Sequence, residues 1–503
     1  MKTKKEKKSL FETLICNSGS LWIPQEQLRK SAAKYGINLS NLPELISQDK
    51  VRKLNIEGRV LYTLPHYDMW ETYTAFDAVR VLTSYRKPII TDIMLERFID
   101  HGEKKYGIKL HEQQRAAVKC AVMNGISIIT GGPGTGKTSV LQLVIYVLRC
   151  IQYDIDIRLT SPTGKAARRI TESTGRKAKT VQKELGITYS NDCKRMFGGD
   201  VLIVDEVSML DMETAYYLFR SIQNGQKVIL CGDVDQLPSV GPGAVLRDFL
   251  LSGVIPFVML TKTFRQDNDS NLFENIQRVR NGEWQLTEGN DFSIIHTGAN
   301  CRNELISSFI SEVNQYGIYN VACLLPYRKE GPICSDIVNN VLQNEINHNS
   351  GNTVSSKTEK GLDIIYKIDD PVIQLENREE CANGDVGRIT DIRNNKIYVQ
   401  YNDCVVVYTR NDLDELSLAY SMSINKSQGS EYPSVVMAMT TAHSAMLKRN
   451  LVYTGITRAR KKVSLLQEDE AMMKAISVED AYSRDTFLAE KLKYYMQKYE
   501  ISN

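Results

Sequence analysis

The sequence lacks long apolar runs and paired cysteines. Although 42% of its 503 residues are hydrophobic, no segment approaches the ~20 consecutive apolar residues that a membrane-spanning helix needs. Ten cysteines are scattered from Cys16 to Cys404, and none forms a Cys-x-x-Cys pair, which argues against a zinc site. We therefore expect no membrane partner, and the scattered cysteines favour a reducing cytoplasm.

The sequence also lacks an excess of positively or negatively charged residues. Lysine and arginine total 63 against 60 aspartate and glutamate residues, which leaves a net charge of +3. This balance identifies no nucleic-acid binder, but it does not exclude one with a local basic groove. The N-terminal segment MKTKKEKK is basic, yet no apolar run follows it, so we do not interpret it as a secretory signal.

The pattern of apolar residues divides the chain into three parts. Residues 1–105 combine amphipathic helical segments with the apolar stretch GRVLYTL, which predicts a small helical or winged-helix module. From 106 to 262, apolar strands alternate with helices, the pattern of a parallel α/β sheet. Residues 263–503 have a similar character, except at about 384–416. There, short alternating strands with Asn-Asn and Asn-Asp turns predict a small β-barrel insertion.

The motif with the clearest chemistry is GGPGTGKT, from Gly131 to Thr138. It fits Gly-x-x-x-x-Gly-Lys-Ser/Thr and lies between an apolar strand and a helix, as a phosphate-binding loop requires. In such a loop, Lys137 reaches the β- and γ-phosphates and the Thr138 hydroxyl can bind Mg²⁺. The nucleotide-binding residues predicted here are Gly132, Pro133, Gly134, Thr135, Gly136, Lys137, Thr138 and Ser139.

Two carboxylates follow the apolar run VLIV. This run places Asp205 and Glu206 at the C-terminal end of a buried strand, where ligands bind in open α/β sheets. We expect Asp205 to hold Mg²⁺ through water and Glu206 to polarise the attacking water. The chain is therefore expected to hydrolyse a nucleoside triphosphate. This activity is shared by transporters, kinases, switches and motors.

Residues further along the chain distinguish between these classes of protein. Gln236, in CGDVDQLPSVGPG, could contact the γ-phosphate and report its loss. Arg265 follows in LTKTFRQ, and Arg458 and Arg460 lie in NLVYTGITRARKKV. Arginines so distant in sequence favour a second domain that closes over the nucleotide and supplies an arginine finger.

Taken in order, these segments resemble the motifs of superfamily 1 helicases in the 5′-to-3′ branch, and of RecD-like DNA helicases in particular. The resemblance extends from about residue 8 to about residue 467. KLHEQQRAAV resembles the Q motif, LTSPTGKAARR motif Ia, VDEVSML motif II and GDVDQLPSVGPG motif III. FRQ is similar to motif IV, NKSQGSE to motif V and VYTGITRAR to motif VI.

The resemblance implies an α/β chain with two RecA-like P-loop motor domains. It also implies an SH3-like β-barrel insertion and an N-terminal helical or winged-helix module. ATP and Mg²⁺ would bind between the motor domains, and single-stranded or tailed duplex DNA would lie across both. The implied catalytic residues are Lys137, Asp205, Glu206, Gln236, Arg265 and Arg458. The further nucleotide contacts are Gln114, which would bind the adenine, and Gly429 and Glu431. The implied DNA contacts are Thr163, Lys165, Thr180, Lys426 and Ser427.

One departure and three alternatives accompany this interpretation. Motif V usually has histidine where this chain has Asn425, which replaces the imidazole with an amide that can still form hydrogen bonds. The chain could instead be a nucleotide-dependent module that binds DNA without unwinding it. It could also be the motor subunit of a larger complex with a nuclease or relaxase. RNA remains open as a substrate, because the motifs do not identify the sugar.

Overall fold

The computed structural model describes Leu14 and residues 19–187, 196–264, 270–329, 331–357, 361, 363–402, 404–478 and 483–502. Two parallel β-sheets with helices on both faces dominate these ranges, and three antiparallel sheets of three, two and five strands accompany them. The α/β class expected from the sequence is therefore confirmed. Within the same ranges, no helix is both long and apolar enough to cross a membrane.

The N-terminal module is a three-stranded antiparallel sheet surrounded by helices. Its elements are β1 (Ile23–Pro24), α1 (Gln25–Lys34), α2 (Leu42–Ser47), β2 (Arg52–Ile56), β3 (Arg59–Thr63), α3 (Pro65–Ser84) and α4 (Asp92–Tyr106). The strand order is β1-β3-β2, and β3 is the strand predicted from GRVLYTL. Glu57 and Gly58, both at positive φ, form the two-residue turn that joins β2 to β3.

The first α/β unit follows directly. Its elements are α5 (Glu112–Met123), β4 (Ile126–Gly131), α6 (Lys137–Ile151), β5 (Ile157–Ser161), α7 (Gly164–Thr174), β6 (Ala178–Thr180), α8 (Val181–Leu185), β7 (Val201–Val204), α9 (Met212–Ser221), β8 (Lys227–Gly232), α10 (Val245–Ser252) and β9 (Phe257–Leu260). The parallel strands have the order β6-β5-β7-β8-β4-β9. This order brings the C-terminal ends of β7, β8 and β4 side by side.

Alternate residues of the central strands β4, β7 and β8 pack into different hydrophobic cores. In β7, Leu202 and Val204 pack with α9, α10 and the N-terminal module. Val201 and Ile203 pack on the other face with α4, α5 and α6. Since strand side chains alternate between faces, the continuous apolar run VLIV is what a sheet covered on both sides requires.

The second α/β unit contains a parallel sheet and an antiparallel insertion. Its elements are α11 (Asn271–Asn281), β10 (Phe292–His296), α12 (Cys301–Tyr316), β11 (Val321–Leu325), α13 (Ser335–Ile346), β12 (Val354–Lys357), β13 (Asp363–Tyr366), β14 (Pro371–Gln374), β15 (Val386–Arg393), β16 (Lys396–Gln400), β17 (Val405–Tyr408), β18 (Leu416–Leu418), β19 (Ser421–Ser423), β20 (Tyr432–Met439), α14 (Arg449–Ile456), β21 (Ala459–Gln467) and α15 (Asp469–Ser477). The parallel strands have the order β10-β21-β20-β11-β19.

The insertion is a five-stranded antiparallel sheet in the order β17-β16-β15-β14-β18. Asn394 and Asn395, at φ of 52° and 55°, form the turn between β15 and β16, as the Asn-Asn pair predicts. The sheet begins at Pro371, before the predicted start at residue 384. The sequence pattern does not reveal β14, because this strand is fully buried and lacks the alternation of buried and exposed residues seen in β15.

Residues 483–502 return to the first half of the chain. They contain α16 (Leu488–Ser502), which packs on α3 and α10. The Lys491 ammonium donates to the Asp68 carboxylate of α3 at 2.6 Å. The backbone N–H of Leu21 donates to the carbonyl oxygen of Asp485 at 3.1 Å. The C-terminal segment therefore lies on the N-terminal module and the first unit.

Candidate nucleotide site between the two units

The loop between β4 and α6 depends on glycine conformations. Gly134 and Gly136 have φ of 73° and 79°, a left-handed region that residues with a Cβ rarely adopt. Gly131 has no room for a side chain, since a Cβ there would lie 2.7 Å from a carbonyl oxygen of β9. Lys137 begins α6, and its Nζ donates to the carbonyl oxygens of Gly131 and Gly132 at 2.5 and 3.0 Å. The predicted loop and its lysine are therefore assembled at the C-terminal end of β4.

The other predicted residues of this loop occupy the same turn. Thr135 is buried, and its hydroxyl donates to the Gly132 carbonyl oxygen at 2.8 Å. Pro133 and Ser139 are half-buried, whereas Thr138 is exposed in the first turn of α6. Thr138 is therefore accessible to a ligand at the start of α6, and its role with Mg²⁺ stays a prediction.

Gln114 connects the start of α5 to the phosphate-binding loop. Its Oε1 accepts the backbone N–H of His111 at 2.9 Å, and its Nε2 donates to the Thr135 carbonyl oxygen at 2.9 Å. One amide hydrogen of Gln114 is left for another acceptor, so the adenine contact stays a prediction. The neighbouring Gln113 donates to the Thr261 hydroxyl at 2.9 Å and thereby ties α5 to the end of β9.

Asp205 and Glu206 directly follow β7, as predicted. Glu206 has a φ of 55°, and non-glycine residues in this region cluster at functional sites. Its backbone N–H donates to Asp205 Oδ1 at 2.9 Å. Burial, followed by the adjacent charge of Glu206, raises the pKa of Asp205 to about 6, although Lys137 and Arg169 oppose the shift. The two carboxylates and the loop lysine thus share one electrostatic environment.

Gln236 lies on the loop after β8, close to the second unit. It is buried, and its Nε2 donates to Asp233 Oδ2 at 3.2 Å. The same oxygen accepts the hydroxyl of Tyr453, from α14 of the second unit, at 3.0 Å. The sequence analysis did not single out Asp233 or Tyr453, although both lie inside the segments that resemble motifs III and VI.

Arg458 is buried between α14 and β21. Its guanidinium donates to the carbonyl oxygens of Thr454 and Ser430, both at 3.1 Å, and to the Thr457 hydroxyl at 3.2 Å. No carboxylate among the described residues lies within ion-pair distance of it. Burial lowers the pKa of Arg458, and the charge of Glu206 acts against this effect. Arg458 is therefore close enough to Glu206 for the two charges to interact, and its role at the γ-phosphate stays a prediction.

Arg265 lies outside the described residues, so its predicted role stays a prediction. The described chain before it ends at Phe264, whose backbone N–H donates to the Gly134 carbonyl oxygen at 2.8 Å. The segment that resembles motif IV therefore starts at the phosphate-binding loop.

Glu431 joins the two units. Its carboxylate pairs with Arg169 of α7 at 2.6 Å and with Arg460 at 2.9 Å. Gly429, nearby, has a φ of 73° and lies against α7. The predicted nucleotide contacts of Gly429 and Glu431 are untested, and the side chain of Glu431 is already engaged in these two ion pairs.

Two of the predicted DNA contacts meet at the loop between β14 and β15. Lys165 Nζ donates to the Gly384 carbonyl oxygen at 3.2 Å, and Lys426 Nζ donates to Asn383 Oδ1 at 2.6 Å. Burial lowers the pKa of Lys426, and the charges of Arg328 and Lys165 lower it further. These cations, from both units and beside the insertion, form a positively charged cluster.

The three predicted hydroxyl contacts have local partners. Thr163 and Thr180 cap α7 and α8, since their hydroxyls accept backbone N–H groups of those helices at 3.3 and 3.2 Å. Ser427 is fully buried, and its hydroxyl donates to the Ile424 carbonyl oxygen at 2.7 Å. A role of Thr163, Thr180 or Ser427 with DNA stays a prediction.

A charged cleft runs between α7, the insertion and the segment before β20. Its volume is about 270 Å³, and it opens beside Arg169, Glu431 and Arg460. The cleft follows the boundary between the two units. Its lining includes residues of both units but none of the phosphate-binding loop. The contact that joins both units beside that loop is the hydrogen bond from Tyr453 to Asp233.

Two protein families match parts of the chain. An AAA domain matches residues 109–300, and a UvrD-like helicase C-terminal domain matches residues 418–466. The first range contains the phosphate-binding loop and the β7 carboxylates, and the second contains Glu431 and Arg458.

Curated relatives cover most of the chain. It is 30% identical over 395 residues to the ATP-dependent RecD2 DNA helicase of Deinococcus radiodurans, which is 78% of this chain and 53% of that protein. It is 25% identical over 472 residues to the RecBCD enzyme subunit RecD of Haemophilus influenzae, which is 76% of this chain and 72% of that subunit. The chain thus spans about half the length of the Deinococcus protein. Among solved structures, the Pif1 helicase from Candida albicans aligns with a TM-score of 0.45 and 18% identity, over 79% of this chain and 100% of that one.

Proposed function

Because the chain belongs to the RecD-like family of superfamily 1 helicases, we propose that it hydrolyses ATP to move from 5′ to 3′ along single-stranded DNA and to unwind duplex DNA. The observation that carries this proposal is the contact between the two α/β units at the phosphate-binding loop. There, Tyr453 of the second unit donates to Asp233 of the first. A nucleotide at this boundary touches both units, so its hydrolysis changes how they fit together.

The residues at the end of β4 and β7 fit a Mg²⁺–nucleotide. The close approach at Gly131 and the left-handed turns at Gly134 and Gly136 leave backbone N–H groups free of side chains. Lys137 would hold the β- and γ-phosphates, and Thr138 and Asp205 would hold the metal. When bound, Mg²⁺ neutralises charge that develops on the phosphates.

The protein's own groups would then perform the hydrolysis. Glu206 would orient and polarise the attacking water, and its left-handed backbone fixes the carboxylate at the end of β7. Arg458 would stabilise the charge on the transferring phosphoryl group, and Arg265 would assist it. The support for Arg458 is a buried guanidinium, bonded to neutral groups, within the field of Glu206.

We further propose that single-stranded DNA lies across both units at Lys165 and Lys426. The support is the cluster of cations at the loop between β14 and β15, since backbone phosphates neutralise such charge without reading sequence. The predicted partners Thr163 and Ser427 lie in the segments that resemble motifs Ia and V, and Thr180 follows motif Ia at the start of α8. Strand movement would follow from alternate closing and opening of the two units.

The finer architecture belongs to this proposal. We assign residues 1–105 to a winged-helix-like module, and 106–262 and 263–503 to two RecA-like motor domains, except that residues 483–502 pack on the first unit and the N-terminal module instead. We assign the insertion, which is predicted around 384–416 and extends from Pro371 to Leu418, to an SH3-like barrel. The antiparallel order of β14 to β18 supports the last assignment. The eight cysteines of the described ranges are free thiols, which supports a cytoplasmic location.

A second candidate is a motor subunit that does not unwind DNA alone. The name of the Haemophilus relative, a RecBCD enzyme subunit, favours it. A nuclease or relaxase would then be the protein partner. The two candidates differ in one observable property, which is strand displacement by the purified chain.

The decisive experiment compares unwinding of 5′-tailed, 3′-tailed and RNA-tailed duplexes by the purified chain, with Lys137→Ala as the inactive control. We expect ATP-dependent displacement with the 5′ DNA tail, and none with Lys137→Ala. DNA-stimulated ATPase without displacement would favour the motor subunit. Displacement of streptavidin from the 5′ end of a single strand, or ATPase indifferent to DNA, would contradict the proposal, since a 5′-to-3′ motor displaces it from the 3′ end.

A further inference from the structure

One face of α14 reaches from the second unit to the loop after β8. Asn450, Tyr453 and Thr454 project from this face, because residues three and four positions apart are neighbours on a helix. Asn450 Nδ2 donates to the carbonyl oxygen of Asp235 at 2.9 Å, and the Thr454 hydroxyl accepts the backbone N–H of Leu237 at 2.8 Å. These contacts hold the loop on both sides of Gln236.

Tyr453 makes the central contact of this face. Its ring is buried, and its hydroxyl donates to Asp233 Oδ2 at 3.0 Å. The same oxygen accepts Gln236 Nε2 at 3.2 Å. Since a carboxylate oxygen only accepts hydrogen bonds, Gln236 must turn its NH₂ group towards Asp233 and its Oε1 away.

The position of Oε1 in Gln236 indicates what it can bind. This atom is buried and has no hydrogen-bond partner in the described part of the chain. An acceptor fits a water molecule, which donates, and does not fit a phosphate oxygen, which also accepts. Tyr453 is close to the phosphate-binding loop as well, because a Cβ on Gly132 would lie 2.9 Å from its hydroxyl.

We propose that Tyr453 is a positioning residue which, through Asp233, orients the Gln236 amide so that Oε1 accepts a hydrogen bond from the attacking water. The inference rests on the proposed function and assigns a different contact to Gln236 than the γ-phosphate expected from the sequence. Burial raises the pKa of Tyr453 well above its ordinary value, so the hydroxyl keeps the proton that it donates. When α14 moves away, Asp233 loses this donor and Gln236 loses its fixed orientation. The rate of hydrolysis thereby depends on the relative position of the two units.

The test compares Tyr453→Phe with Tyr420→Phe. Tyr420 is a matched control, since it is buried in the second unit and donates to Asp370 Oδ1 at 2.8 Å. For Tyr453→Phe, we expect the DNA-stimulated kcat to fall about tenfold while the KM for ATP stays within about twofold. Tyr420→Phe should keep kcat within about twofold of wild type. An unchanged kcat in Tyr453→Phe, or an equal loss in both variants, would overturn the inference.

A double variant distinguishes positioning from general support of the fold. If Tyr453 acts through Gln236, Tyr453→Phe should cause no further loss of kcat in a Gln236→Ala background. Losses that multiply would overturn the inference. If Tyr453→Phe does not fold, Asp233→Asn tests the same link from the first unit, with the same expectation in the Gln236→Ala background. Wild-type protein without DNA-stimulated ATPase would overturn both this inference and the proposed function. An active wild type with an unaffected Tyr453→Phe would overturn the inference alone.

Discussion

Arg169 and Glu431 join the two α/β units through an ion pair of 2.6 Å. Arg169 lies on α7 of the first unit, and Glu431 directly precedes β20 of the second. The Glu431 side chain is only 10% exposed, so this pair is less screened by solvent than a surface pair. Removing Arg169 leaves the largely buried Glu431 carboxylate with one partner fewer. This change lowers the stability of the fold more than the loss of an exposed ion pair does.

The first prediction concerns this pair. Arg169→Met should lower the free energy of unfolding by about 1–2 kcal/mol, discounted for the partial exposure of the arginine. The control is Arg278→Met, which removes ion pairs with two half-exposed carboxylates, Glu274 and Glu283, and should cost about 0.5 kcal/mol. Urea unfolding of both variants measures the difference. Equal losses would show that the Arg169 pair contributes no more than a surface pair.

The second prediction concerns Glu206. Glu206→Gln should retain ATP binding within about threefold and lose about 10²–10⁴-fold in kcat, because the attacking water loses its carboxylate. Equilibrium binding of a fluorescent ATP analogue and steady-state ATPase separate the two effects. Glu490→Gln, at an exposed site on α16, serves as the control. Loss of nucleotide binding in Glu206→Gln would assign Glu206 to the structure of the site instead.

The third prediction uses the raised pKa of Asp205, about 6. An unfolded aspartate has a pKa of about 3.9, so the folded state binds this proton more tightly. The ionised carboxylate therefore destabilises the fold, by on the order of 2 kcal/mol above pH ~6, and the effect disappears as the pH falls to ~4. Without nucleotide and Mg²⁺, Asp205→Asn should melt above wild type at pH 7.5 and by a smaller margin at pH 5. Its Mg²⁺-dependent ATPase should be lost. A margin that does not change with pH would contradict this assignment.

The fourth prediction concerns Arg458. Arg458→Lys should bind ATP and DNA normally but lose much of the roughly 10³–10⁵-fold acceleration that such arginines supply. Lysine keeps the charge but lacks the planar fork that contacts Ser430 and Thr454 and would contact the phosphates at the same time. Single-turnover hydrolysis with saturating DNA measures the loss. Near-wild-type turnover in Arg458→Lys would show that charge alone suffices.

The fifth prediction concerns DNA binding. Lys165→Ala and Lys426→Ala should each weaken single-stranded DNA binding and lower the salt dependence of log K by about 0.7, as expected for one lost phosphate contact. Lys474→Ala, on the exposed face of α15, is the control. Fluorescence anisotropy at several salt concentrations gives the slopes. Unchanged slopes in both variants would mean that the cation cluster does not bind the strand.

The sequence predicts features that depend on neighbouring residues. The Gly131–Thr138 loop, the carboxylates after β7 and the Asn-Asn turn all follow from short patterns, and the structure has them where expected. Contacts between distant residues are not encoded in this way. Tyr453 and Asp233 are separated by more than two hundred residues, and nothing in the local pattern of either segment indicates the other. The burial of β14 also depends on tertiary contacts. The alternation pattern therefore predicts that the insertion starts at residue 384 rather than at Pro371.

The return of the C-terminal segment has a mechanical consequence. The chain passes from the first unit to the second between Phe264 and Ser270, and it passes back between Val478 and Ser483. A body tied at one point can swivel in any direction, whereas a body tied at two points turns mainly about the line that joins them. The second unit is tied twice. Two connections leave it fewer directions of movement relative to the first unit than a single connection would.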